Sequence, residues 1–367
     1  MSTPDNINSW GPLESLLNDP EVQEILVDGP YRVYIERKGK LKDVNIQFQD
    51  NEHLLTLIND ILAFLGQKVD QTYPMVDTRL PDGSRINVVI PPLALNGPTL
   101  TIRKSTRNPL TLDDLIRFDS MSAEIAEFLK ACVKARLNML ISGGTGSGKT
   151  TLFNVLCSFI SDDERIIVIE RAAELKLPQR RVVILEARPA NLEGKGEVTV
   201  RDLLLNSLKM RPDRVIIGDI EGNEVFDFLQ AMNSGHDGSM TSLHAQSPSD
   251  AIARLETLVT LGNLSTPVLT VREMIASGID LIVHQERLRD GSRKILKVTE
   301  VEGIHDGVVV LSDIFEFRET GVEGGRIRGR IVPTGHIPRF VSRLDAAGSQ
   351  LPLSLFDPPQ EADKHEA

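Results

Sequence analysis

Cysteine is scarce in this chain of 367 residues: only Cys132 and Cys157 are present, too few for a disulfide framework. Both lie in apolar runs of helical spacing, which favours buried free thiols, and no Cys/His cluster has metal-ligand spacing. Aromatic residues make up 4%, so a stacking platform for single-stranded nucleic acid has little to be built from. Positive charge is short as well. The net charge of −11 argues against a general nucleic-acid binder, because phosphate neutralisation needs a basic face, although it leaves room for a local basic patch. No window approaches the ~18 apolar residues of a membrane span, and the opening Met-Ser-Thr-Pro-Asp-Asn has no basic-then-apolar export pattern. The cytoplasm is the expected compartment. With 41% hydrophobic residues the chain can bury more than one core, and its length suggests two or three units at roughly 100 to 200 residues each.

Residues 11–104 mix short strand patterns (Glu24–Val27, Arg32–Glu36, Ile86–Ile90, Thr99–Arg103) with one long amphipathic helix over Glu52–Leu65, which predicts an α+β domain. Residues 105–120 contain Pro109 and turn-prone stretches and read as a linker. From Met121 helices alternate with continuous apolar strands at Ile166–Ile169, Val182–Leu185, Val215–Ile217 and Leu281–Val283, the pattern of a parallel sheet covered on both faces. The fold class is α/β, with a core domain over 121–305 and a C-terminal extension over 306–356. Ser247-Pro248 reads as an N-cap followed by proline at the first helical position, and Thr270-Val-Arg-Glu273 has capping-box spacing. The tail, 357–367, is acidic and proline-bearing and is expected to be disordered.

The sharpest local signal is Gly143-Gly144-Thr145-Gly146-Ser147-Gly148-Lys149-Thr150, preceded by apolar Leu137–Ile141 and followed from Thr151 by helical apolar spacing. Strand, glycine-rich loop and helix in that order predict a nucleotide triphosphate site. Backbone N–H groups turn inward, Lys149 reaches the β- and γ-phosphates, and the Thr150 hydroxyl ligates Mg²⁺. Hydrolysis also needs carboxylates at the ends of neighbouring strands. Glu170 ends one strand and Asp219 another. His236 and His244 stand eight residues apart around an apparent strand, a separation that keeps them on one face. They read either as γ-phosphate sensors or as packing residues. Arg79, Arg85 and Arg103 sit in the first domain's last strands and the loop before them; arginine forks match phosphate oxygens, and solvent exposure is the plainer reading of any one alone.

These segments together resemble the ATPases of type II and type IV secretion systems, closest to the Tad/Flp pilus assembly branch. The likeness extends from Gly11 to about Phe356 and takes in Asp77–Asn87, Pro91–Ala94, Thr101–Lys104, Asn191–Glu197, Met210–Arg214, Ala231–Gly238 and Asp313–Arg318. It implies a RecA-like core behind a smaller α+β domain, ATP and Mg²⁺ as ligands, a homo-oligomer that is a hexameric ring, and an inner-membrane platform protein as partner, with the ring peripheral at that membrane. Glu170 falls on the family's catalytic glutamate, His236 and His244 in its histidine box, and the three arginines on residues that approach the nucleotide. Two places depart. Glu170-Arg171 stands where relatives have Glu-Asp, and Gly218-Asp219-Ile220-Glu221-Gly222 where they have Gly-Glu-x-Arg-Gly. A carboxylate shorter by one methylene predicts slow turnover, so a ring component with weak or no hydrolysis is the alternative. The sign exchange predicts an Arg171–Glu221 pair across neighbouring strands.

Overall fold

The computed structural model describes residues 10–37, 40–105, 110–190, 194–262 and 266–359. Asn191–Glu193 of the 191–197 motif, 106–109 of the expected linker and 360–367 of the expected tail lie outside them. The chain divides into two units, Met1–Asn108 and Pro109–Ala367.

The first unit is a six-stranded antiparallel sheet covered by one helix. Its strands are β1 (Val22–Asp28), β2 (Val33–Arg37), β3 (Lys40–Val44), β4 (Met75–Arg79), β5 (Arg85–Val89) and β6 (Thr99–Arg103), in the order β3-β2-β1-β6-β5-β4. The short α1 (Glu14–Asn18) precedes them and α2 (Asn51–Phe64) follows β3. Leu54, Leu57, Ile58, Ile61 and Leu62 line one stripe of α2 and are buried with Ile25, Ile86 and Ile102 of the sheet. Asp50 caps α2 by accepting the His53 N–H. Strand β3 has no sequence signal because it is a nearly fully exposed edge, so neither alternation nor an apolar run marks it.

The second unit has helices α3 (Leu112–Arg117), α4 (Ala123–Lys134), α5 (Lys149–Cys157), α6 (Val200–Ser207), α7 (Glu224–Met232), α8 (Pro248–Leu261), α9 (Val268–Gly278) and α10 (Val341–Ala346). Its strands are β7 (Met139–Gly143), β8 (Ile166–Glu170), β9 (Val182–Glu186), β10 (Arg214–Asp219), β11 (Met240–His244), β12 (Leu281–Arg287), β13 (Arg293–His305), β14 (Val308–Glu323) and β15 (Arg326–Pro333). They form one sheet in the order β15-β14-β13-β12-β7-β11-β10-β8-β9. The pairings from β12 to β9 are parallel; β12 to β15 form an antiparallel arm. The fold class is thus α/β, with a RecA-like core and a smaller α+β unit. Met139 and Ile141 of β7 face the core layer containing α4 and α5, while Leu140 faces the layer of α6 to α9. All three are fully buried, each contributing about 1.5–3 kcal/mol relative to exposure. That double burial makes β7 a rigid base for the loop after it.

Several local expectations are refined. The span read as a linker contains α3, capped by a Thr111–Asp114 capping box. Ser247 caps α8 with Pro248 in its first turn, as its sequence indicates. Thr270 caps nothing: α9 already runs from Val268, with Pro267 at its N-cap, so Thr270 is a first-turn residue. Cys132 and Cys157 are buried free thiols whose pKa burial pushes up, which leaves them chemically inert. No helix among the described residues is long and apolar enough to cross a membrane.

Candidate functional site

The loop Gly144–Gly148 leaves β7 and enters α5, whose N-cap is Gly148. Two of its glycines and the last residue of β7 resist a side chain: Gly146 (φ +73°) and Gly148 (φ +95°) are left-handed, and a Cβ on Gly143 would lie 2.1 Å from the Gln285 carbonyl oxygen. The cradle is therefore closed to anything but glycine at Gly143. Ser147 is 1% exposed and its Oγ has no partner among the described residues. An inward-turned hydroxyl beside a helix N-terminus and its unpaired amides fits a polyphosphate. Thr151 follows in the first turn of α5.

Lys149 is buried, and its ammonium donates to Gly143 O at 3.1 Å and Gly144 O at 3.2 Å. Its Nζ also lies 3.3 Å from His244 Nδ1. With Lys149 charged, that ring nitrogen is the acceptor, so the His244 proton sits on Nε2, which faces Asp219 Oδ2 at 3.8 Å. Asp219 in turn accepts a hydrogen bond from the Ser242 hydroxyl. Burial pushes the Lys149 pKa below its usual value, and the Asp219 carboxylate opposes that shift. Lys149 at the start of α5, His244 at the end of β11 and Asp219 at the end of β10 thus form a polar chain from ammonium through neutral imidazole to carboxylate, β11 and β10 being adjacent strands of the sheet.

Glu170 and Glu174, four residues apart, have different surroundings. Glu170, at the end of β8, is buried; it accepts the Glu174 N–H at 3.0 Å and the Leu175 N–H at 3.2 Å. A Cβ on Gly218 would lie 2.9 Å from its Cγ, so the side chain is clamped between β10 and the loop it holds. Glu174 is exposed, and its Oε2 accepts the Thr150 hydroxyl at 3.5 Å. It is the carboxylate that faces the Thr150 hydroxyl, and sequence reasoning missed it. Its signal was available: a second acid four residues after the strand-end glutamate. The predicted Arg171–Glu221 pair is present at 3.3 Å across adjacent β8 and β10, with side chains 65% and 47% exposed. A pair so exposed contributes about 0–1 kcal/mol.

His236, expected on one strand face with His244, lies outside that strand. Strand β11 starts at Met240, level with Met139, and ends at His244, level with Gly143. His236 precedes it in a turn with left-handed Gly235 and Gly238, where the two-residue strand period does not apply, and its Nδ1 meets Ala231 O at 3.3 Å. Four strand residues place that turn about 13 Å from the phosphate-loop end of the sheet. In the first unit, Arg79, Arg85 and Arg103 are brought together. Arg79 pairs with Arg85 and Arg85 with Arg103 across β4, β5 and β6, so they form one transverse row on one face. Arg85 makes a bidentate contact to Asp77, at 2.9 and 2.5 Å.

Among the described residues, Glu300, Glu302 and His336 have ligand atoms close enough to share a metal ion. Their carboxylates already accept from Ser312, Arg339 and the Arg339 backbone N–H.

The profile of the family described as type II/IV secretion system protein matches residues 6–321. The chain is 43% identical over 243 residues to an uncharacterized protein of Methanocaldococcus jannaschii, a match covering 64% of this chain and only 33% of that relative. It is 30% identical over 323 residues to the type IV secretion system protein VirB11 of Brucella suis, covering 81% of this chain and 85% of VirB11. The ATPase DotB of Legionella pneumophila shares the fold at TM-score 0.56 and 20% identity, over 82% of this chain and 84% of DotB.

Proposed function

Because this chain belongs to the type II/IV secretion system protein family, we propose that it is an ATPase whose turnover powers secretion, and that its cargo system is a pilus. The observation that carries the reading is the buried Lys149 ammonium, held by Gly143 O, Gly144 O and His244 at the mouth of a glycine-closed cradle. Loop N–H groups bind the phosphates and Lys149 neutralises the charge that grows on the β–γ bridge as water attacks the γ-phosphorus and the P–O bond breaks. Thr150 and the facing Glu174 would hold Mg²⁺, which when bound would spread phosphate charge. Asp219 keeps His244 oriented and Lys149 charged. Glu170 acts by fixing the loop that carries Glu174. The arginine row Arg79–Arg85–Arg103 in the smaller unit is of phosphate-binding type by its chemistry.

The working assembly is a homo-hexameric ring, peripheral at the inner membrane on its cytoplasmic side, with a membrane platform protein as partner. The family membership and the likeness to VirB11 support it. A second reading, a nucleotide-binding ring component with weak turnover, is favoured by one feature. Asp219 is shorter than the glutamate usual at that place and already serves Ser242, and a displacement of roughly an ångström costs about 10²-fold in rate. Steady-state phosphate release by the whole chain, beside Lys149→Ala, separates the two. The motor reading expects hydrolysis well above the variant; equal rates with nucleotide still bound establish the second reading.

A further inference from the structure

We infer that Arg293 is a positioning residue of the phosphate loop, acting on the loop's backbone and not on phosphate. This rests on the nucleotide-site reading above and adds a residue that neither the loop motif nor the carboxylates and histidines already named include.

Arg293 opens β13, well over a hundred residues beyond the loop, yet its Nε donates to the Gly146 carbonyl at 3.0 Å. Its stem covers the next left-handed glycine: a Cβ on Gly148 would lie 2.9 Å from Arg293 Cδ. One side chain therefore spans both left-handed glycines of the cradle, at φ +73° and +95°. In a trans peptide the carbonyl and the following N–H point opposite ways. Holding the Gly146 carbonyl towards Arg293 keeps the Ser147 N–H turned into the loop, where it meets Gly144 O at 3.3 Å. An amide that faces inward before ligand arrives has no reorientation cost to meet on binding, which is the gain from preorganisation.

The arm that carries Arg293 is itself fixed on both sides. The next residue, Lys294, is buried and donates to Asp119 O at 2.5 Å, and Ile295 N donates to Ser120 O at 3.0 Å. In the β12–β13 turn, Asp290 accepts the Ser292 N–H at 2.9 Å and, from β15, the Ile327 N–H at 2.7 Å. Arg293 is exposed, so replacing it leaves the core intact.

Glutamine separates backbone positioning from charge. Its Nε2 stands the same number of bonds from the main chain as arginine Nε and keeps an N–H donor without the cation; methionine keeps the length and lacks the donor. Calorimetric titration of the whole chain with ADP and with ATP and Mg²⁺ is expected to show R293M binding about tenfold more weakly, equivalent to about 1.4 kcal/mol. R293Q recovers to within about threefold of wild type. In the same samples, hydrogen exchange at the amides of 146–149 is expected to quicken in R293M and to slow again in R293Q. R293Q falling as far as R293M overturns the inference in favour of a direct charge effect. R293M that binds like wild type, or exchange unchanged in R293M, overturns it outright. Wild-type protein that takes up no nucleotide refutes the site reading instead, a distinct result.

Discussion

Replacing Glu170 and Glu174 in turn by the amide distinguishes holding a loop from serving the chemistry. Glu170→Gln keeps size and shape but removes the charge that accepts two backbone N–H groups, from Glu174 and Leu175. A hydrogen bond to a charged acceptor contributes about 1.5–3 kcal/mol against about 0.5–1.5 for a neutral one. Two bonds weakened by about 1 kcal/mol each, with an amide NH₂ turned towards a backbone donor, give about 2–3 kcal/mol of lost stability. For a unit of this size that is a fall in unfolding midpoint of about 4–12 °C, at about 2–4 °C per kcal/mol. Glu174→Gln, on an exposed side chain, is expected to leave the midpoint within about 0.5 kcal/mol and to lower turnover by 10²-fold or more, the order of a lost general base or metal-shell carboxylate. Thermal unfolding by circular dichroism and steady-state phosphate release read the two effects separately. An E170Q protein as stable as wild type but inactive, beside an active E174Q, would refute the assignment and restore Glu170 as the reacting carboxylate.

Two further predictions concern stability. Arg214 is fully buried, with Nε 2.7 Å from Glu164 Oε2 and Nη2 2.8 Å from Val133 O; Arg214→Met strips Glu164 of a buried partner and should cost about 3–5 kcal/mol in urea unfolding, while an unchanged midpoint would show that the ion pair contributes nothing. Burial raises the Asp290 carboxyl, but hydrogen bonds from Ser292 and Ile327 outweigh it and hold the pKa at about 2. The folded value lies below the unfolded one, so this stability is present above about pH 4 and is lost as pH falls from 4 through 2. Asp290→Asn should therefore flatten the acid limb of stability in that window; an unaltered limb would place the acid sensitivity elsewhere.

The phosphate loop was legible because its chemistry is local: eight contiguous residues determine backbone conformation, donor direction and the helix start. Strands β7, β8 and β10 were legible for a related reason, since burial on both faces writes itself as an unbroken apolar run. The Arg171–Glu221 pair could be foreseen because two strand ends in one parallel sheet fall side by side. The antiparallel arm was less visible. Arg326-Ile-Arg-Gly-Arg-Ile331 alternates as an edge strand should, yet charge on the open face of a two-faced sheet looks like surface until its neighbour is known.

What sequence could not give is which groups a loop brings back to the site. Glu170 and Glu174 are equal as residues, and only the loop after β8 decides that one turns into the backbone and the other towards Thr150. His236 was misplaced for the opposite reason: the two-residue period was carried through Gly238, whose left-handed backbone ends any strand geometry before β11 begins. Arg293 is the extreme case. No spacing rule connects it to Gly146, because the connection passes through the register of β12 with both β7 and β13. The motif specifies a loop able to bind phosphate, and the sheet's far arm supplies the contact that holds its peptides facing the right way. A mutation in β12, β13 or their turn should therefore reach nucleotide affinity without touching the motif, through the same Gly146 carbonyl.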